Sequence, residues 1–203
     1  MIEGFDIEIG RFFDALDDAV LAEDTLVIFT SDNGSLYSNA PLRSIKGHLY
    51  EGGIRVPMMA RWPGVIEAGT VNDTPVISTD YVPTVMELAG LAPISDHPVD
   101  GESLVPLFKQ IESLDRDAIY FHYPNYAFHH QNRLGSAIRQ GDYKLIKWYD
   151  DGSVELYNLA KDVGEKANLA AQKPKIATYL KTKLEARLDQ VGAQYPTAVG
   201  ARE

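Results

Sequence analysis

The stretch TLVIFTSDNGSLYSNAPLRSIKGHLYEGGIRVP, residues 25–57, decides how this chain reads. It opens with an apolar, β-branched run (25–30) that does not alternate, the pattern of a strand buried on both faces in a parallel sheet. The run stops at Ser31-Asp32-Asn33-Gly34. Open α/β sheets bind ligands beyond the carboxyl ends of their strands, so the carboxylate and carboxamide delivered there are candidate site residues. Both are hard oxygen donors of the kind that Ca²⁺ and Mg²⁺ take. Lys46, next to Gly47, adds a mobile positive charge suited to an anion on such a metal. Asn33-Gly34 also has the composition of a hairpin turn, but the uniform run before it argues for a core strand ending in a loop. The residues therefore read as part of a metal-assisted anion-ester site.

Working outward, Ile2, Phe5, Ile9, Phe13, Leu16 and Val20 recur at helical spacing with acids between them. This helix starts mid-pattern, with no N-cap and no room for one. Downstream, residues 56–62 form a second short apolar run closed by Pro63-Gly64. Residues 79–91 carry Tyr81, Val85, Leu88 and Ala89 on one face and stop at Gly90. After Pro93 the composition shifts: a polar loop (96–101) and a short helical piece (102–110) precede a β-like segment (118–123). Three further strands (136–139, 143–149, 154–159) are separated by the turn signals Gly141-Asp142 and Asp150-Asp151-Gly152. The apolar positions Ile138, Leu145, Ile146, Leu156 and Leu159 are expected to give this meander one buried side. A helix over 175–191, with Ile176, Tyr179, Leu180, Leu184 and Leu188 on one face, packs against it, and the tail from Gln194 frays. The expected domains are 1–95, an incomplete α/β unit with the parallel sheet, and 96–203, an α+β unit with the antiparallel sheet and terminal helix.

A hydrophobic share of 45% suits a chain that buries a core. The net charge of −10 argues against a nucleic-acid partner, which needs clustered Lys and Arg. With no cysteine, disulfides and Cys-ligated zinc are excluded. No apolar stretch approaches a membrane span. MIEGFDIEIG has neither the basic start nor the apolar run of a signal peptide, so the localisation stays open.

The run SDNG, then PLR and KG, then YEGGIRVP, resembles the C-terminal half of a type I, formylglycine-dependent sulfatase of the alkaline phosphatase superfamily. The likeness extends through STDYVPTVMELAG, DGESLVPLF and AIRQGDYKLIKWYDDGSVELYNLAKDVGEKANLA, nearly to the end of the chain. It implies a periplasmic or secreted parent that hydrolyses sulfate esters of carbohydrates or aryl compounds. It also implies that Asp32 and Asn33 complete a Ca²⁺ shell begun by upstream acids, and that Lys46 contacts the sulfate as a catalytic residue. His122, in Phe121-His122-Tyr123-Pro124, would line the pocket mouth as a substrate contact. The family's Cys-x-Pro-x-Arg or Ser-x-Pro-x-Arg motif, which supplies the nucleophile, is absent. Asn39-Ala40-Pro41-Leu42-Arg43 matches its Pro and Arg by coincidence. The chain alone is therefore expected to be inactive, its partner being the missing N-terminal half of the enzyme.

Asn33 separates two chemistries within the superfamily. Phosphate-ester relatives tend to carry Asp-His-Gly at this turn, where imidazole suits a transition metal; a carboxamide suits one hard cation. A phosphodiesterase or phosphonate hydrolase is thus disfavoured. The other alternative is a non-catalytic, truncated interaction module. Glu51 and Arg55 read as a structural pair holding the Lys46 loop. His48 would border the pocket, His97 is a loop residue, and His129 and His130 lack the spacing of a metal site.

Overall fold

The computed structural model describes residues 2–92, 99–111, 113–125 and 132–197. The segments holding His97, His129 and His130 lie outside the described residues. The fold is mixed α/β, with a two-stranded sheet, a four-stranded antiparallel sheet and a C-terminal helix. Contacts divide it into two compact units: residues 1–31 with 57–115, and residues 32–56 with 116–203.

The first unit opens with helix α1 (Ile2–Asp18), which buries none of its residues. Of the face its apolar spacing sets up, Ile9, Phe13 and Leu16 are partly buried while Ile2, Phe5 and Val20 are exposed. Strand β1 (Val27–Thr30) pairs antiparallel with β2 (Met58–Arg61), in the register Ile28↔Ala60 and Phe29↔Met59. This corrects the expectation of a fully buried parallel strand. The apolar run does make a strand, but the chain returns beside it as β2, and all four β1 residues are only partly buried. Next come a 3-10 turn (Ser78–Asp80) and helix α3 (Tyr81–Leu88); helix α2 (Glu51–Ile54) belongs to the other unit. Gly90, at φ +66°, ends α3 as its position predicts. The buried face of α3 is not the expected apolar row, since Val85 is 59% exposed. Thr84 and the preceding Asp80 are buried instead. The Asp80 carboxylate accepts the backbone N–H of Ile77 (2.8 Å) and of Glu102 (3.0 Å). The Thr84 hydroxyl accepts the N–H of Leu104 at 2.9 Å, tying α3 to the short α4 (Val105–Phe108).

The second unit is a meander of β3 (Ile119–Tyr123), β4 (Gly135–Gln140), β5 (Tyr143–Trp148) and β6 (Val154–Asn158) in sequential order. Cross-strand register aligns Ile138, Leu145 and Leu156 on one face. There they pack against Ala177, Leu180, Leu184 and Leu188 of helix α5 (Pro174–Gln190). The antiparallel sheet and packed helix are as expected; Tyr179, expected on the packed face, is 56% exposed. The expected single buried side is also corrected. Ala137, Ile146, Trp148 and Tyr157 fill the opposite face, and Leu49 and Tyr50 cover it. Both faces of this sheet are therefore buried, one by α5 and one by the loop that carries Lys46. The tail is not wholly frayed either, because the Gln194 carbonyl accepts a hydrogen bond from His122 Nε2 at 2.9 Å.

Arg133 closes the end of the β4–β5 hairpin by a two-pronged pairing with Asp150 (2.9 and 2.6 Å). That hydrogen bond holds the Asp150 carboxyl below its ordinary value. A depressed folded-state pKa contributes stability above the unfolded value, near 4, that is lost as pH falls through the folded one. Arg133→Ala is therefore expected to cost less than about 1 kcal/mol at neutral pH, the pair being partly exposed. Urea unfolding of both proteins should show that difference shrinking as the pH is lowered below about 4. A difference constant down to pH 2 would assign the effect to packing alone.

Candidate active site

Residues 34–55 fold into a loop whose backbone crosses itself. Gly34 N–H donates to Gly53 O (3.0 Å), Gly52 N–H to Arg43 O (2.8 Å) and Lys46 N–H to Ser35 O (3.0 Å). The crossings leave no room for side chains. A Cβ on Gly34 would stand 1.8 Å from Gly52 O, and one on Gly53 would stand 2.1 Å from His48 O. Gly34 is thus required by close approach of backbone, not by a hairpin turn. Asn39, set aside as coincidence, staples the loop: its carboxamide accepts from Ser35 N–H (3.1 Å) and donates to Ser35 O (3.0 Å). Asn132 Nδ2 donates to Gly47 O at 3.2 Å.

These crossings set Lys46 beside Asp32, with Nζ 3.9 Å from Oδ2. The Asp32 side chain is 80% exposed, so the carboxylate is open to a ligand. Asn33 follows it, partly buried. His122 is not brought to this group. Its neighbours in β3, Phe121 and Tyr123, pack on the face covered by Leu49 and Tyr50, and alternation turns His122 to the α5 face. Both its ring nitrogens are engaged there. Nε2 donates to Gln194 O, so in the neutral ring Nδ1 accepts from the Ser136 hydroxyl at 2.7 Å. Tyr149 closes this cluster, its hydroxyl 2.5 Å from Ser136 Oγ. His48 Nδ1 donates to Ile45 O at 3.1 Å and stiffens the Lys46 loop from within.

Glu51 and Arg55 do form the expected pair, at 3.7 Å, but the stronger contacts of Glu51 are elsewhere. Glu51 opens helix α2 (Glu51–Ile54), 2% exposed, and its Oε1 lies 2.9 Å from the ammonium of Lys144. Lys144, wholly buried, also meets Glu165 Oε1 at 2.9 Å. Burial pushes the Glu165 carboxyl up from its ordinary value, while the Lys144 charge pulls it down. Sequence reasoning passed over both residues. The one available signal was that Lys144 occupies the same strand face as Ile146 and Trp148.

Residues 45–194 match the family described as N-sulphoglucosamine sulphohydrolase, C-terminal. The chain belongs to this sulfatase family. A sulfatase of Formosa agariphila is 37% identical over 227 aligned positions, which cover 99% of this chain and 40% of that protein. Human arylsulfatase A is 34% identical, over 98% of this chain and 45% of that protein. Among solved structures, BT4656 in complex with its substrate D-glucosamine-2-N,6-O-disulfate superimposes with a TM-score of 0.79 at 27% identity. That match covers 96% of this chain and 40% of the other. The chain thus spans less than half the length of the relatives it matches.

Proposed function

We propose that this chain supplies the C-terminal part of a sulfatase reaction centre acting on sulfated carbohydrates or aryl sulfates, with Asp32, Asn33 and Lys46 as its contribution. The observation that carries this reading is the exposed Asp32 carboxylate 3.9 Å from the Lys46 ammonium, on a loop closed by backbone crossings. The substrate bound by the BT4656 structure supports the carbohydrate class. Asp32 and Asn33 offer adjacent hard oxygens, which fit part of a Ca²⁺ shell. Among the described residues no group of three or more His, Cys, Asp or Glu side chains could hold a metal by itself. The remaining donors would have to come from further chain, as in relatives more than twice as long. Bound there, calcium would serve as Lewis acid and template for a sulfuryl oxygen. Lys46 would neutralise charge developing on the sulfuryl oxygens and the departing alkoxide. Asp32 would hold the cation and, through its own charge, the direction of the Lys46 ammonium.

The test places this chain in a protein of the relatives' full length, made with the formylglycine-forming enzyme, and follows hydrolysis of an aryl sulfate. Asp32→Ala and Lys46→Ala should each lower turnover by about a hundredfold or more, the scale for losing one preorganised charge in a reaction centre. The 203-residue chain alone should bind Ca²⁺ weakly, since the ion takes about six to eight oxygens. Turnover that survives both substitutions would place the chemistry elsewhere.

A further inference from the structure

Glu165 touches both ends of the segment that presents Lys46. Its backbone carbonyl accepts from Arg43 Nη1 at 3.0 Å, and its Oε2 accepts the backbone N–H of Glu51 at 2.7 Å. Arg43 and Glu51 bracket Lys46 in sequence, and the Gly52-to-Arg43 hydrogen bond closes the segment into a ring. Lys144 stands between the carboxylates of Glu51 and Glu165, 2.9 Å from each, and all three side chains are no more than 3% exposed. Arg43 is further fixed by Tyr157, whose hydroxyl accepts at 2.8 Å, and by the Tyr50 ring 3.8 Å beneath its guanidinium.

Two features distinguish this cluster from ordinary packing. A buried ion group is a poor source of stability, because apolar side chains of similar volume commonly do as well or better. Glu165 also sits at φ +51°, in the left-handed region that costs a non-glycine residue energy. A glycine there would relieve that strain but would lose the carboxylate. Strain retained at a residue whose side chain and backbone both grip one loop points to a positional role.

We infer that Lys144, Glu51 and Glu165 form a buried ionic lock whose role is to position the Lys46 loop, so that the anion-contacting ammonium is held in place from the opposite side of the sheet-covering layer. Lys144 and Glu165 are positioning residues for Lys46 and touch no substrate. The functional meaning of the lock rests on the sulfatase reading of Lys46; its existence does not.

Hydrogen exchange on the chain itself tests it. The triple substitution Glu51→Gln, Lys144→Met, Glu165→Gln removes the three buried charges together, and Arg55, which loses its partner at 3.7 Å, is half exposed to water, so the melting temperature should stay close to that of the parent. The amides of Lys46 and Gly52 should nonetheless exchange about tenfold faster or more, while those of Ala137 and Ile146 in the sheet keep their protection, as local opening separates from global unfolding. Unchanged protection at Lys46 and Gly52 would overturn the inference. If the triple variant fails to fold, Glu165→Gln alone decides by the same two amides: faster exchange supports the lock and unchanged exchange rejects it. In the full-length protein, a loop loosened by the triple variant with turnover indifferent to Lys46→Ala would refute the sulfatase reading while leaving the lock standing. In an active enzyme the same variant should lower turnover, and Lys144→Arg, which keeps the charge, should recover part of it.

Discussion

Trp148→Ala is expected to lower folding stability by about 3–5 kcal/mol, the range for emptying a large aromatic site in a core. Trp148 is 1% exposed at the end of β5 and fills the sheet face opposite α5. Its ring packs against Tyr50 with centroids 5.6 Å apart, and the Arg133 guanidinium lies 4.5 Å over it. A Cβ on Gly135, in the neighbouring strand, would stand 2.9 Å from its Cε3, so the strand gives up a side chain to admit the indole. Alanine would leave a cavity walled on the Gly135 side by strand backbone, which cannot collapse into it. At about 2–4 °C per kcal/mol for a chain of this size, the melting temperature should fall by about 6–20 °C. Tyr179→Ala, at a 56% exposed position on α5, is the control and should shift it little. A drop at Trp148 no larger than at Tyr179 would mean that this face is not a core. The loss should also reach the Lys46 loop, because Leu49 and Tyr50 rest on Trp148 and the residues around it.

The elements that could be read in the sequence are those whose stability is local or periodic. The β3–β6 meander follows from alternation and from turn residues at Gly141 and Gly152, which do adopt positive φ. Helix α5 follows from Leu180, Leu184 and Leu188 at helical spacing. What failed concerned partners. The run at β1 shows that a strand should form there, but nothing in four apolar residues says in which direction its neighbour runs. Its antiparallel partner β2 begins 28 residues after β1 ends, and the returning chain set that pairing. The apolar residues of α1 and α3 were likewise legible as faces, although burial of a face depends on what covers it. Asp32 and Lys46 could be paired in advance because an acid at a strand end and a lysine in a glycine-rich loop each carry a chemical meaning. Lys144 and Glu165 could not. A buried charge is tolerated only through its partners, and Glu51 lies 93 positions from Lys144 in the chain. His122 shows the converse: its aromatic neighbours were visible, but the side of the strand it would occupy depended on the register with Ser136.

Gly34→Ala should be as damaging as the loss of Trp148, although it adds only one methyl group. The new Cβ would stand 1.8 Å from Gly52 O and 3.1 Å from Gly53 Cα. Carbon and carbonyl oxygen approach to about 3.3 Å at closest, so the two backbone strands of the loop must separate by about 1.5 Å. Neither side can yield by rotating a side chain, because the atoms met are backbone. Overpacking of this kind costs about 1–3 kcal/mol or more, and separation also breaks the hydrogen bond from Gly34 N–H to Gly53 O, worth about 1 kcal/mol. The expected total is about 3 kcal/mol or more, measured by urea unfolding. Gly10→Ala supplies the contrast: Gly10 lies in α1 with nothing within 4 Å of a Cβ, and alanine there should stabilise the helix by up to about 1 kcal/mol. The two substitutions are chemically identical and opposite in sign, so general effects of alanine on the unfolded chain cannot account for the difference. On the sulfatase function proposed above, Gly34→Ala in a full-length protein should also cut aryl sulfate turnover by about a hundredfold, because a displacement near 1 Å is enough to spoil a reacting geometry. A Gly34→Ala protein as stable as its parent would show that residues 34 and 52 do not cross at this distance, and the placement of Lys46 beside Asp32 would fall with it.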